Sequence, residues 1–283
     1  MAMNNEQELK ELVRQKYSEI ALQDRQDNQA SCCGATCCSD EVTNIMSDDY
    51  SVLKGYNADA DLGLGCGLPT QFAKIKKGDM VIDLGSGAGN DAFIARAETG
   101  EAGKVIGVDF SEAMLKKART NVDKLGYNNV EFRFGDIENM PVSANMADVI
   151  VSNCVLNLVP NKDAVLKEIY RVLKPGGHFS ISDIVLAGTL PEGLQKSAEM
   201  YSGCISGAIQ KEVYLELIRL NGFENLSIQK EKGISLPLDI LKEHLSDEEI
   251  NQFLNGGTGI FSVTVYAEKP LEAKVCCEPG CCN

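Results

Sequence analysis

The sequence predicts an α/β fold: a doubly wound, mostly parallel sheet, with an N-terminal arm and C-terminal helical and strand additions. Three observations predict it. From Met80 onward, short apolar runs alternate with amphipathic stretches, the rhythm of strands joined by crossover helices. The first apolar run, MVIDLG (80–85), passes directly into the glycine-rich SGAGN and then a helical stretch. Caps and stop signals fall where that alternation needs them.

The elements follow in order. Residues 5–23 carry Leu9, Leu12, Val13 and Ile20 at three- and four-residue spacings, a helix signature. The polar stretch QDRQDNQAS predicts a mobile arm leading into CCGATCC (32–38). DADLGLGCG (59–67) is a Gly-rich loop carrying Cys66, and Pro69 favours the first turn of a short helix. MVIDLG is a buried strand, and a helix begins at residue 90. KVIGVDF (104–110) is the second strand; residues 111–126 form a helix with Ser111 as N-cap and Gly126 as C-cap. NVEFRFGD (129–136) and ADVIVSN (147–153) are the third and fourth strands. A helix over 161–173 stops at Lys174-Pro175-Gly176-Gly177, and HFSISDIV (178–185) is the fifth strand. After Leu186 the pattern predicts helices at 191–207 and 211–221, strands at 223–231 and 259–268, and a helical piece near 238–254. The last fifteen residues lack periodicity and predict a flexible tail. Four regions result: a helix and Cys-rich arm (1–68), the α/β core (69–186), a cap region (187–268) and the tail (269–283).

Composition narrows the function. The 283 residues allow a sizeable core, and 44% hydrophobic with 24% charged residues is ordinary for a globular protein. A formal charge of -14 argues against nucleic acid and against anionic lipid as partners. The N-terminus lacks the apolar segment of a signal peptide, and no apolar run approaches a membrane span of about 18 residues. A cytoplasmic protein is expected, with thiols held reduced. Only His178 and His244 are present, so a His-centred metal site or a Ser-His-Asp triad has little to draw on.

Cysteine is the unusual component. Of eleven, eight form two copies of Cys-Cys-x-x-x-Cys-Cys, at 32–38 and 276–282. Cys66, Cys154 and Cys204 stand alone. Clustered thiols in a reducing compartment point to soft-ion binding or redox chemistry more than to structural disulfides.

The turn after the first strand reads Asp83-x-Gly85-x-Gly87-x-Gly89. Glycines there permit a tight turn and close approach of a ligand, at the strand end where open α/β sheets bind ligands. Asp109 ends the second strand, placed to accept hydrogen bonds from a ribose diol, and Asp136 ends the third. Nicotinamide-binding folds share the glycine turn and the second-strand acid. The GxGxG spacing with an acid before it instead resembles the Rossmann-like, seven-strand S-adenosylmethionine-dependent methyltransferases, as do GDIENMP (135–141) and RVLKPGGHFSISD (171–183). The likeness covers roughly residues 78–186 and ranks methyl transfer above hydride transfer. A cofactor-free domain ranks lowest, because it leaves Asp109 and Asp136 without partners. The resemblance implies S-adenosyl-L-methionine as cofactor. By it, Asp83, Gly85, Ser86 and Gly87 lie beside the methionine part. Asp109 holds the ribose, with Phe110 and Met114 near the adenine. Asp136, Ile137 and Glu138 line the adenine pocket, and Asn153 faces the methyl-transfer space.

Cys154 follows Asn153, where the methyl group should emerge. A buried, inert thiol is the bland alternative. Cys66 and Cys204 lie in segments that flank the same mouth of this fold. Three convergent sulfurs suit a thiophilic, three-coordinate ion such as As(III), whose lone pair can attack a methyl group without a general base. Zinc competes for thiolates but has no lone pair to methylate. LGLGCG, SNCVLNLVP and GCISGA, together with DLGSGAGND, resemble the arsenite methyltransferases over roughly residues 30–230. That resemblance implies As(III) held by Cys66, Cys154 and Cys204, arsenite and methylarsenite as substrates, and disulfide cycling reset by thioredoxin or glutathione. It also implies a fourth cysteine on the arm, which helps to capture the ion or closes a disulfide with Cys66 after transfer. Cys37 and Cys38 have the better spacing, while Cys32 and Cys33 stay open. The tail CCEPGCC fits As(III) capture, an extra dithiol reductant, or incidental metal scavenging. Two rivals explain less. A methyltransferase acting on a quinone-like molecule ignores the three cysteines, and a thiol-based metal-binding protein without turnover ignores Asp83, Asp109 and Asp136.

Overall fold

The structure is a computed structural model that describes residues 2–22, 48–191, 207–236, 238, 241–242 and 245–271. Its frame is one seven-stranded sheet in the order β3-β2-β1-β4-β5-β7-β6. The strands are β1 (Met80–Leu84), β2 (Lys104–Asp109), β3 (Val130–Phe134), β4 (Ala147–Asn153), β5 (Leu173–Ala187), β6 (Glu224–Ile234) and β7 (Gly259–Glu268). Strands β1 to β5 pair in parallel, and β7 runs antiparallel between β5 and β6. The two C-terminal strands therefore extend the β5 edge, with the last strand inserted between the fifth and sixth.

The helices are α1 (Ala2–Leu22), α2 (Pro69–Phe72), α3 (Asn90–Thr99), α4 (Glu112–Leu125), α5 (Lys162–Val172), α6 (Lys211–Leu220) and α7 (Asp247–Asn255). Ser111 caps α4 by accepting from the Met114 N–H, and Gly126 ends it in the left-handed region at φ 66°. Asn161 caps α5 in the same way through the Ala164 N–H. Ser246 and Glu249 form a reciprocal capping box at the start of α7.

The strands are apolar on both faces because both faces are covered. Ile82, Leu84 and Ile150 enter one core with Ile169, Phe179 and Ile218. Their neighbours Val81, Val149 and Val151 enter another with Phe93, Met114 and Leu115. A third apolar cluster joins Cys66 and Cys154 to Ile184, Leu241, Ile250 and Phe253, so the C-terminal region covers those two sulfurs.

Most boundaries agree with the sequence reading, with three differences. β5 begins at Leu173, so Lys174–Gly177 opens the strand as well as stopping the helix; a register shift between Ala147 and Val149 accommodates it. β3 ends at Phe134, and the Gly135 N–H makes the last bond of its pairing with β2, to the Asp109 carbonyl. The helical piece near 238–254 contains the capped α7, which begins only at Asp247. The helix expected at 191–207 lies, apart from its two end residues, outside the described residues, as do the cysteine clusters at 32–38 and 276–282. Among the described residues no helix is long and apolar enough to cross a membrane.

Candidate active site

The parallel strands β1, β2 and β4 end along one rim of the sheet. The turn from β1 into α3 begins there. Gly85 stands at φ 64° and Gly87 at φ 51°, where a side chain is strained. A Cβ on Gly85 would collide with Val155, whereas one on Gly87 would find its nearest neighbour, Met114 Sδ, at 4.0 Å. Gly85 is thus required by packing and by conformation, Gly87 by conformation alone. Asp109 fastens the turn: its Oδ2 accepts from the Gly87 N–H at 2.9 Å and its Oδ1 from the Ser111 N–H at 2.8 Å.

The rim opens into a cleft with about 820 Å³ of space free of protein atoms, part of it continuous with solvent. Asp83, Gly85, Ser86, Gly87, Asp109, Phe110, Met114 and Asn153, all expected at the cofactor, line it. Asp136, Ile137 and Glu138 do not: Ile137 is buried in the larger core. Lys10 of α1 grips the carboxylates of both Asp136, at 2.7 Å, and Glu138. Glu138 also accepts from the Asn161 N–H. The expected adenine acids therefore hold α1 against the sheet, and Val13 and Tyr17 of that helix join the cleft wall. An N-terminal helix over the cleft left no signal in the sequence beyond its amphipathic pattern.

The floor is acidic. Burial pushes the Asp83 carboxyl well up, helped by repulsion from Asp91 and Asp109. Asp91 is pushed up to about 6, chiefly by burial and further by Asp61, against hydrogen bonds from Tyr50 and Asn153. Burial also raises Asp109. Asp83 Oδ2, Ser86 Oγ and Asp91 Oδ1 are buried without a hydrogen-bond partner among the described residues. Buried acceptors of this kind require a donor or a cation. S-adenosylmethionine brings an ammonium and a sulfonium, so the residues present fit it. The sequence reading missed Asp91 and Tyr50. Asp91 sits in the first turn of α3, next to the glycine motif, and could have been found there. Tyr50 is isolated in sequence and gave no signal.

Asn153, the last residue of β4, links this cleft to a thiol. Its Oδ1 accepts from the Cys66 N–H at 3.0 Å and lies 3.7 Å from Cys66 Sγ. Its Nδ2 donates to the Gly67 carbonyl at 2.8 Å and contacts Tyr50 Oη and Asp91. The Tyr50 hydroxyl in turn sits 3.0 Å from the Gly67 carbonyl and 2.9 Å from Asp91 Oδ2. The carbonyl of Cys66 accepts from Ser262 of β7.

Cys154 adopts the left-handed conformation at φ 58°, and its N–H donates to the Ser182 carbonyl at 2.8 Å. That turn aims its side chain at Cys66. The two are joined as a disulfide, Cα to Cα 5.8 Å, across 88 residues of sequence. The arm cysteines expected to pair with Cys66 lie outside the described residues; in the structure the disulfide partner of Cys66 is Cys154. The physical reason is the Asn153 tether, which holds the Cys66 amide against the residue preceding Cys154. Cys154 also lines the cleft. Cys204, Cys37, Cys38, Cys32 and Cys33 lie outside the described residues. Among the described residues no group of three His, Cys, Asp or Glu is arranged to hold a metal ion. Gly207, three residues beyond Cys204, lies against the Asn157 carbonyl, three residues beyond Cys154.

Residues 75–222 match the family described as "Methyltransferase domain". An arsenite methyltransferase of Halobacterium salinarum is 39% identical over 287 residues, covering 95% of this chain and 69% of that protein. The chain belongs to the arsenite methyltransferase family. The arsenite methyltransferase of Aquipseudomonas alcaligenes is 33% identical to this family member, over 84% of this chain and 68% of that one. Among solved structures, an arsenic(III) S-adenosylmethionine methyltransferase from Chlamydomonas reinhardtii aligns with TM-score 0.61 and 34% identity, over 73% of this chain and 68% of that one. Demethylmenaquinone methyltransferases of Listeria match only 40% of this chain, at 37% identity. The quinone rival thus shares the α/β core and stops short of the full pattern.

Proposed function

We propose that this protein transfers a methyl group from S-adenosylmethionine to trivalent arsenic, with arsenite and methylarsenite as acceptors. The observation that carries the reading is the placement of Cys66 beside Cys154, which lines an acidic, orphan-rich cleft, with Cys66 tied to that cleft through Asn153.

Asp83, Ser86, Asp91 and Asp109 would hold the donor, which when bound supplies an electrophilic methyl group. With the disulfide reduced, Cys66 and Cys154 offer two thiolates, and Cys204 is the third ligand in this reading. Arsenic keeps a lone pair in a three-sulfur site, so the acceptor needs no proton removed before attack. Proximity and alignment are then the chief contributions of the protein. The scarcity of histidine is consistent with that economy. Methyl transfer raises arsenic from the trivalent to the pentavalent state. Two electrons from the Cys66 and Cys154 thiolates return it to the trivalent state as their disulfide forms. A dithiol reductant, thioredoxin or a glutathione-linked system in the cytoplasm, then restores the pair. Cys37 or Cys38 of the arm assists capture or resolves the disulfide, and the two added regions, arm and cap, serve the arsenic rather than the donor.

The test is methylation of arsenite by the reduced full-length protein, with product speciation, beside a chain ending near Pro270. Methylated arsenic is the expected product. Intact donor binding with no methylated product would overturn the reading. Cys154→Ser should abolish methylation and leave S-adenosylmethionine affinity nearly unchanged.

A further inference from the structure

Behind the Cys154 turn lies a buried polar cluster that the donor site does not use. Asp183, on the β5 face toward α6, is completely buried. Its Oδ2 accepts from the Tyr214 hydroxyl at 3.1 Å. The main-chain N–H of Asn157 and the ammonium of Lys162 favour its charge, while burial opposes it and pushes the carboxyl up to about 7. Asn157 belongs to the short 3-10 turn, Leu156–Leu158, that follows Cys154. Its Nδ2 donates to the Ile184 carbonyl at 2.7 Å. Asn157 and Cys154 thus fasten the same turn to β5 at neighbouring positions, Cys154 through the Ser182 carbonyl and Asn157 through the Ile184 carbonyl.

A second segment meets the first at Asn157. A Cβ on Gly207 would collide with the Asn157 carbonyl oxygen, so only glycine permits this approach. The chain beyond Gly207 is tied to the end of β5, where the Leu186 N–H donates to the Ile209 carbonyl and Gln210 Nε2 donates to the Gly188 carbonyl. Tyr214 of α6 then returns to Asp183. Two segments, one leading from Cys154 and the other beginning three residues past Cys204, are therefore cross-linked through one carboxylate and one amide.

This arrangement is not what stability alone would select. Asp183 Oδ1 and Asn157 Oδ1 are both buried without a hydrogen-bond partner among the described residues. The carboxylate is surrounded by an apolar core containing Val185, Ile218 and Val263. Leaving buried acceptors unmet is costly, and an apolar side chain would avoid the cost. Departures from good packing rules concentrate where function needs a fixed geometry.

We propose that Asp183 and Asn157 are positioning residues that set the spacing between the Cys154 turn and the segment entering at Gly207, and so tune the capture of trivalent arsenic. The inference rests on the function proposed above. Neither residue touches the substrate; they act through the turn.

The experiment titrates the reduced full-length protein with arsenite and follows the ultraviolet absorption of arsenic–thiolate bonds, without turnover. Affinity for S-adenosylhomocysteine is measured by calorimetry on the same samples. Asp183→Ala and Asn157→Ala should each weaken arsenite binding about tenfold, from the loss of one or two anchoring hydrogen bonds. Affinity for S-adenosylhomocysteine should stay within about twofold, because neither residue lines the donor cleft. Asp183→Asn keeps an acceptor for Tyr214 and should restore arsenite binding to within about threefold of wild type. A merely structural role predicts the opposite pattern, with both affinities falling together and following the loss of thermal stability. Wild-type arsenite binding in both alanine variants, or parallel loss of both ligands, overturns the proposal. If Asp183→Ala does not fold, Asn157→Ala decides alone. Failure of the wild-type protein itself to develop arsenic–thiolate absorption would instead overturn the function reading beneath it.

Discussion

Replacing Asn153 by alanine should release the Cys66 loop from the sheet. Four groups lose the asparagine amide, unequally: the Cys66 N–H, the Gly67 carbonyl, Tyr50 Oη and Asp91 Oδ2. Tyr50 Oη lies 3.0 Å from the Gly67 carbonyl and 2.9 Å from Asp91 Oδ2, so its one proton still serves one of these two acceptors. The Cys66 N–H has Asn153 Oδ1 as its acceptor, and Cys66 is buried. A buried donor left without a partner costs about 1–3 kcal/mol, equivalent to roughly 5- to 150-fold in the population of the closed loop. The assay is amide hydrogen exchange under reducing conditions, since the disulfide would otherwise hold the loop by itself. Amides at Cys66 and Gly67 should lose protection by that factor. Val81, in the middle of β1, should keep its protection and so report an intact core. Methylation should fall with the loop, because one thiolate is no longer presented. Wild-type protection at Cys66 and Gly67 in the variant would refute the tether, and with it the account of how donor cleft and thiols are joined.

Three further outcomes follow from the same geometry. Asp91 stands at about 6 in the donor-free protein because burial favours its neutral form, while a cationic donor favours the carboxylate. Donor affinity should therefore be level near neutrality and fall as pH drops through about 6, by at most tenfold per pH unit. Calorimetry across that range should show the step, and Asp91→Asn should lack it; a pH-independent wild type would contradict the role of the acid. The same sign makes the donor-free fold gain stability from Asp91 as pH falls, so acid should stabilise the empty protein while weakening its ligand. The Cys66–Cys154 disulfide spans 88 residues, and chain-entropy arguments assign such a loop ~4.6 kcal/mol. Dithiothreitol should lower the thermal midpoint of the wild type, whereas an indifferent midpoint would argue against the bond in solution. Lys10→Ala removes the clamp on Asp136 and Glu138; partly exposed pairs contribute about 1 kcal/mol or less, so S-adenosylmethionine should bind up to about fivefold more weakly. No change would show that α1 lies over the cleft without supporting it.

The glycine turn and its acids were legible in the sequence because their pattern is local. Asp83, Gly85, Ser86 and Gly87 are consecutive or nearly so, and strand-end position follows from apolar periodicity. Asp109 was placed by its spacing from the first strand and is found at the cleft, fastening Gly87. Asp136 and Glu138 were placed by the same logic, and neither lines the cleft. Their strand end is right, but a helix more than a hundred residues earlier in the chain supplies Lys10 to both. Tyr50 escaped for the converse reason: nothing about a single tyrosine predicts that its hydroxyl will meet Gly67 and Asp91. The solitary cysteines lie between these cases. Their segments could be assigned to one mouth of the fold, but which thiol meets which depended on contacts that cross the sheet.

Residue order alone was sufficient for the parallel core, the glycine turn with its acids, and the separation of three single cysteines from two clusters. These are carried by period, caps and short-range spacing, which survive in one dimension. Tertiary structure decided the rest. It paired Cys66 with Cys154, because an amide from Asn153 and a left-handed turn at Cys154 bring two backbones 88 residues apart to 5.8 Å. It also turned the expected adenine acids toward Lys10 and gathered Asn157, Asp183, Gly207 and Tyr214 behind the thiol turn. Each of those choices depends on which buried donor finds which acceptor, and only the folded chain sets that.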